Sequence, residues 1–382
     1  MTITLGEMRP VYVVGIGFHP YQFMSETTYV ILGLAAVREA LTDASIEWPS
    51  VESAYVANAR LPMAPGRAML RHLGATGIPI VHIENASASG SAAFRHACIE
   101  VGAGITDISL AVGIDKPSRL PRAEDMIGIP NLANDAIVPF THFALLADQY
   151  ASRHGIDVED TALVAVKNHK NASKNPYAQH RKERTLEQIL GGKRITGSFT
   201  SLQCTPVGEG AAAVIVASEE GIRKLGMDIS RAVKVASSAG RSQRVYDDPT
   251  GYDAHLTRET TEVALSEAGI TANDLDIVEL HDAFTIEELE YLEAMGISKE
   301  GQALNDLKNG EFDINGRVAV SPSGGLIAMG HPIGPTGIGQ VGEITRQLRG
   351  EAGARQHNNA RRGLAHMVGV GAVCYVHVLE KV

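Results

Sequence analysis

One pattern of strand, helix and strand occurs twice in this chain, and a repeat of that size admits few folds. Residues 11–15 form an apolar run that reads as a strand, 29–44 carry a helical period, and 54–57 read as a second strand. The same order returns near the middle, strand-like at 233–236, helical at 260–268 and strand-like at 277–280. The residues themselves run in parallel, AVREALTDASIEWPSVESAYVAN beside VALSEAGITANDLDIVELHDAF. Each half then continues with a Gly/Ser-rich turn, a helix and a closing apolar strand. These are ASASGSAAFRHACIE and ISLAVGI in the first half, GHPIGPTGIGQVGEI and AVCYVHVL in the second. Alternating strands and helices argue for an α/β fold whose sheets are covered by helices. Self-similarity at half the chain length argues for two copies of one fold packed together, with an expected division into 1–228 and 229–382. Within the first copy, polar and basic text (KNHKNASKNPYAQHRKER) interrupts the pattern between about 118 and 197, and CTPVGEGAAAVIVA then resumes as a strand. Such an excursion from a rigid scaffold is expected to lie over a ligand site.

Composition removes several classes of function. With 44% hydrophobic and 20% charged residues, the 382-residue chain can bury a sizeable core and is not a disordered polymer. Its net charge of −10 repels a phosphate backbone, so nucleic acid is not an expected partner. No apolar run approaches the ~18 residues of a membrane span, and MTITLGEMRP lacks the basic-then-apolar pattern of a secretory leader. The three cysteines, Cys98, Cys204 and Cys374, are too widely spaced for a metal-ligand pair or a disulfide framework. A reducing cytoplasm is the expected setting, with no bound metal.

Three segments carry candidate chemistry. Asn85-Ala86-Ser87-Ala88-Ser89-Gly90-Ser91 is a turn of small residues before a helix. It sets Ser87 on a tight bend where backbone N–H groups and the helix dipole favour a developing negative charge. Glu279-Leu280-His281-Asp282-Ala283-Phe284 runs a strand out into a histidine beside a carboxylate. Ser323-Gly324-Gly325-Leu326 leads into Gly330-His331-Pro332-Ile333-Gly334, with Thr336 and Gly337 beyond. A histidine held between Gly and Pro has a fixed direction, and a neutral imidazole donates one hydrogen bond from a set nitrogen.

Together these segments resemble the thiolase superfamily, in particular the branch of sterol-carrier-type thiolases and their bacterial relatives. The resemblance covers nearly the whole chain. It rests on the GHP turn at 330–332, HDAF at 281–284, NHKNASKNPYA at 168–178, CTPVGEGAAAVIV at 204–216 and AHMVGVGA at 365–372. It implies a five-layered α-β-α-β-α thiolase fold of two similar halves plus a loop domain, a homodimeric core, and acyl-CoA thioesters as substrates. Coenzyme A would enter as part of the substrate, with no permanently bound cofactor. It further implies that His331 donates to the thioester oxygen of the enolate-forming substrate and that His281 helps complete this oxyanion hole through a water. Gly369 or Gly371, with the N–H of residue 87, would form a second hole. Lys167, Lys170, Arg181, Lys182 and Ser237 are the candidate contacts for coenzyme A. Relatives of this kind often assemble with a small zinc-ribbon/OB-fold (DUF35) protein, which would here be a separate chain.

Departures from the family pattern decide the expected reaction. Members that make or break β-ketoacyl-CoA carry a cysteine where this chain has Ser87, and members of this branch carry a second one where it has Ala283. A thiol with pKa ~8.5 is readily tuned to thiolate, whereas a serine hydroxyl needs a strong adjacent base. Both polarising histidines remain. The expectation is therefore enolate chemistry without an acyl-enzyme: (retro-)aldol cleavage of a 3-hydroxyacyl-CoA to acetyl- or propionyl-CoA plus an aldehyde or ketone, as in thiolase-like aldolases of steroid side-chain degradation. The alternatives are a β-ketothiolase or acyltransferase using position 87, and a non-catalytic CoA-binding subunit. For the base, His366, Tyr246 and Tyr375 are the candidates, with Asp282 beside His281 as an orienting group.

Overall fold

The structure is a computed structural model that describes residues 4–117, 138–246, 251–369 and 373–382, with backbone alone at 138–140 and 252. Gly371 and positions 118–137 of the expected insertion lie outside the described residues. The first half runs β1 (Val11–Gln22), α1 (Tyr29–Asp43), β2 (Ser53–Ala57), α2 (Pro65–Leu70), β3 (Ile80–Ile83), α3 (Ser89–Gly102) and β4 (Ile108–Asp115). The excursion contributes α4 (Val138–His154), α5 (Leu163–Ala172), α6 (Leu186–Leu190), β5 (Arg194–Thr196) and β6 (Phe199–Thr200). The chain then returns through β7 (Glu209–Ser218) and α7 (Glu219–Leu225). The second half begins with β8 (Val233–Ser242), α8 (Tyr252–Ala268), β9 (Ile277–Glu279), α9 (Thr285–Ala294) and α10 (Ala303–Lys308). It ends with β10 (Ala319–Val320), α11 (Gly325–Ala328), α12 (Thr336–Arg349), β11 (Arg362–Gly369) and β12 (Val373–Lys381).

Strand order makes the duplication explicit. The first half is ordered β3-β2-β4-β7-β1 and the second β10-β9-β11-β12-β8. Corresponding pairs share their sense: β2 is parallel to β3 and β4, as β9 is to β10 and β11. In the same way β7 is antiparallel to β4 and β1, as β12 is to β11 and β8. The two five-stranded sheets meet edge to edge where Tyr12 and Val13 pair with Lys234 and Val233. Elsewhere α3 and α12 pack between them, each touching strands of both halves. With α1 outside the first sheet and α8 outside the second, the layers run α-β-α-β-α. Burial explains the composition of the inner strands, since β4 (ISLAVGID) and β7 (EGAAAVIVAS) are enclosed at every position and, apart from the terminal Asp115 and Glu209, consist of small and apolar residues.

The middle layer positions the site. α12 is buried from Thr336 to Leu348, and its Glu343 is matched by a buried arginine. Arg355 donates from Nε and a terminal nitrogen to the two oxygens of Glu343, both at 2.8 Å. The two middle helices approach through glycine. A Cβ on Gly337 would sit 2.7 Å from the Ser91 nitrogen, and one on Gly90 would sit 2.6 Å from the Gly334 oxygen. That approach brings the turn before α3 and the turn before α12, one from each half, to the same place.

Candidate active site

Both turns are held in unusual backbone. Ala86, just before Ser87, has φ +49°, and Ile333, two residues after His331, has φ +71°. A β-branched residue there is strained by ~1–3 kcal/mol, and its surroundings must hold it. Asp115, at the end of β4, supplies part of the hold. Its oxygens accept backbone hydrogen bonds from Ala59, Arg60 and Gly334 at 2.8–2.9 Å, tying the GHP turn of the second half to the first. Burial nevertheless raises the Asp115 carboxyl to about 6. On the other turn, the Ser89 hydroxyl accepts from the Asn85 nitrogen at 2.8 Å and donates to the Ala86 oxygen at 2.6 Å.

His331 Nε2 lies 2.9 Å from Ser87 Oγ, and His331 Nδ1 lies 2.8 Å from Thr336 Oγ1. The ring is thus placed between two hydroxyls and faces no carboxylate. Burial, then the charges of His281 and Arg60, hold its pKa well below the usual histidine value, so it is neutral near pH 7. A neutral ring with one N–H between two hydroxyls can direct that hydrogen to the Ser87 side, where Thr336 donates to Nδ1.

His281 is built differently. Its ring centroid is 5.6 Å from that of His331 and the planes are perpendicular. Its Nδ1 lies 2.8 Å from Glu287 Oε1 on the first turn of α9. The other Glu287 oxygen accepts from the Phe284 nitrogen at 2.9 Å, which fixes the carboxylate. The Tyr291 hydroxyl stands 3.1 Å from Glu287 Oε1 and 2.9 Å from Asp253 Oδ2. Burial, then Asp253 and Glu287, push the Tyr291 pKa well up, so it serves as a donor. His281 Nε2, directed away from Glu287, is buried without a hydrogen-bond partner among the described residues. His331 and His281 keep 9% and 6% exposure beside the half-buried Ser87, whereas His366 has none.

The remaining sequence candidates sort by their surroundings. His366 Nε2 lies 2.9 Å from Thr257 Oγ1, and Nδ1 accepts the His281 backbone N–H at 3.4 Å, so both nitrogens are occupied in a closed interior. The Tyr246 ring stacks on His255, and its hydroxyl lies 3.5 Å from Glu259. Asp282 does not touch the His281 ring. It accepts from Asn168 Nδ2 at 2.6 Å and the Leu326 nitrogen at 2.7 Å, and burial, then Glu288, push its pKa well up. The Lys167 ammonium is buried against Val320 O at 2.8 Å and Glu288 at 3.1 Å. Ser237 is enclosed within β8, its hydroxyl without a hydrogen-bond partner among the described residues. Lys170, Arg181 and Lys182 are exposed, and Lys170 lies 3.7 Å from Asp313. Gly369 packs on the Ser87 turn so closely that a Cβ would sit 2.3 Å from the Asn85 oxygen. Tyr375 comes to the same turn, its hydroxyl 3.5 Å from Asn85 Nδ2.

All three cysteines are buried. Burial raises Cys98 far above the usual thiol range and Cys204 and Cys374 to about 12. Among the described residues no group of three or more His, Cys, Asp or Glu is arranged to hold a metal ion. Nor is any helix there long and apolar enough to cross a membrane.

Comparison with known proteins agrees with this fold. Residues 19–186 match the thiolase N-terminal domain and residues 238–381 the thiolase C-terminal domain-like family. The chain is 34% identical over 373 residues to the benzoylsuccinyl-CoA thiolase subunit BbsB of Thauera aromatica, covering 95% of each. It is 34% identical over 392 residues to sterol carrier protein 2 of Gallus gallus, covering 96% of this chain and 71% of that one. Its fold superposes on the Ltp2-ChsH2(DUF35) aldolase with TM-score 0.84 at 21% identity, covering 97% of this chain and 98% of the other. Two matched halves, the duplicated strand order and the paired turns together place the chain in the thiolase superfamily, as an enzyme acting on acyl-CoA.

Proposed function

We propose that the chain cleaves the Cα–Cβ bond of 3-hydroxyacyl-CoA thioesters by a retro-aldol reaction, releasing acetyl- or propionyl-CoA and an aldehyde or ketone. One observation carries this reading: the hydroxyl of Ser87, not a thiol, faces a histidine with no carboxylate behind it. A serine nucleophile needs a base whose imidazolium is stabilised, and the buried His331 disfavours its own protonation. The same ring is well suited to another task. A neutral N–H aimed at a forming thioester enolate is worth ~3–4 kcal/mol, and the enolate route never passes an acyl group to the protein.

Exposed Lys170, Arg181 and Lys182 are proposed to meet the coenzyme A phosphates. The backbone at Gly369 is proposed to face the second oxygen near the Ser87 turn. A homodimeric core, the division at 228/229 and a cytoplasmic setting follow from the same family reading. The likeness in fold to the Ltp2-ChsH2(DUF35) aldolase supports a separate zinc-ribbon/OB-fold partner.

The Ser87–His331 contact also supports a second reading, acyl transfer through a serine ester. Incubation with a 3-hydroxyacyl-CoA, and separately with a 3-ketoacyl-CoA plus coenzyme A, distinguishes the two. Release of acetyl- or propionyl-CoA from the hydroxy substrate without added coenzyme A is the expected result. Strict dependence on free coenzyme A overturns the retro-aldol reading in favour of thiolysis.

A further inference from the structure

We infer that His281 is the base of the reaction, taking the 3-hydroxyl proton and returning it to the enolate carbon, and that Glu287 is the positioning residue that makes it one. The inference rests on the retro-aldol reading and names the proton carrier that reading lacks. Glu287 accepts at Oε1 from His281 Nδ1, which fixes the tautomer and leaves the Nε2 lone pair free. That nitrogen is buried, unpartnered, and on a ring perpendicular to His331 at 5.6 Å. An unmatched buried nitrogen costs free energy unless a ligand group completes it. The other imidazoles do not qualify: His331 has hydroxyls at both nitrogens, and His366 is closed by Thr257 and the His281 backbone.

The step balances within this pair. Nε2 takes the hydroxyl proton, and the O–H electron pair becomes the carbonyl π bond of the departing aldehyde or ketone. The Cα–Cβ electrons become the thioester enolate beside His331. The imidazolium, paired with Glu287, then gives the same proton to Cα and is neutral again. No oxidant, reductant or free coenzyme A is consumed.

Glu287→Gln is a sharp test because the Phe284 N–H needs an acceptor. It takes the amide oxygen and turns the NH₂ toward His281 Nδ1, so the proton moves to Nε2 and the base is lost. The assay is benzaldehyde release from 3-hydroxy-3-phenylpropionyl-CoA without free coenzyme A, using the whole chain with any subunit that co-purifies. Glu287→Gln is expected to lower kcat by ~10²–10⁴-fold with KM within about threefold. His281→Ala is expected to lose activity comparably, to bind acetyl-CoA by calorimetry as the native chain does, and to regain activity with added imidazole. Native-like rates, within about threefold, in both variants overturn the assignment while leaving the cleavage reading intact. A native chain that releases no benzaldehyde without coenzyme A overturns the cleavage reading itself, and this inference with it.

Discussion

Two histidines stand 5.6 Å apart, and what lies behind each divides their work. His331 is backed by the Thr336 hydroxyl and His281 by the Glu287 carboxylate. A hydroxyl can satisfy either tautomer of a neutral ring but offers no charge to an imidazolium. A carboxylate fixes the tautomer and stabilises the positive ring. The first arrangement suits a hydrogen-bond donor, the second a proton carrier. Composition alone does not separate them, because both are buried histidines in Gly- or Asp-flanked segments.

Several variants test this division, beginning with the largest expected effect. His331→Ala should lower kcat for C–C cleavage by ~10²–10³-fold, measured in steady state, because it removes a donor on the forming oxyanion. Thr336→Val keeps the side-chain shape but strips the partner from His331 Nδ1. One unmatched buried group costs ~1–3 kcal/mol, so a loss of roughly tenfold in kcat/KM is expected. Ser87→Ala should cost less than about tenfold in the same assay, whereas a serine that attacks would lose ~10⁴-fold or more.

The smallest effect concerns a third carboxylate, Glu279, whose oxygens accept from the Ser323 nitrogen at 2.8 Å and hydroxyl at 2.7 Å. Burial, then the charge of Glu343, raises it to about 8. The folded chain therefore keeps a proton that the unfolded chain releases near ~4.3. This contribution to stability is fully present below the unfolded value and is lost as pH rises through 8. Between pH 7 and 8.5 the native chain should lose on the order of 1 kcal/mol through this group. Glu279→Gln should lack that share of the slope in denaturant titrations. Glu290, also raised to about 8, retains its own share.

Much of the fold is legible in the sequence because the repeat is written in period and burial. Strand text such as ISLAVGI is small and apolar apart from Ser109 because β4 is covered on both faces. The glycines and serines that open α3 and α12 mark where two helices approach closely. The turns with Ser87 and His331 are legible for the same reason. Glu287 is not, although it stands six residues after His281. A glutamate on the first turn of a helix reads as an N-terminal cap, and this one does accept the Phe284 N–H. Only the placement of its other oxygen gives it a second task. Asp115 is hidden too, since its partners are backbone groups distant in sequence. Lys167 misleads in the opposite direction, a cation in basic text that folding turns inward to Glu288.

Whether acyl groups ever join the protein is settled by intact-mass measurement of the chain quenched during turnover of a 3-hydroxyacyl-CoA. An unmodified mass, with aldehyde or ketone accumulating at full rate in the absence of free coenzyme A, is the expected result. An acyl adduct mapping to Ser87, with cleavage stalled until coenzyme A is added, would contradict it.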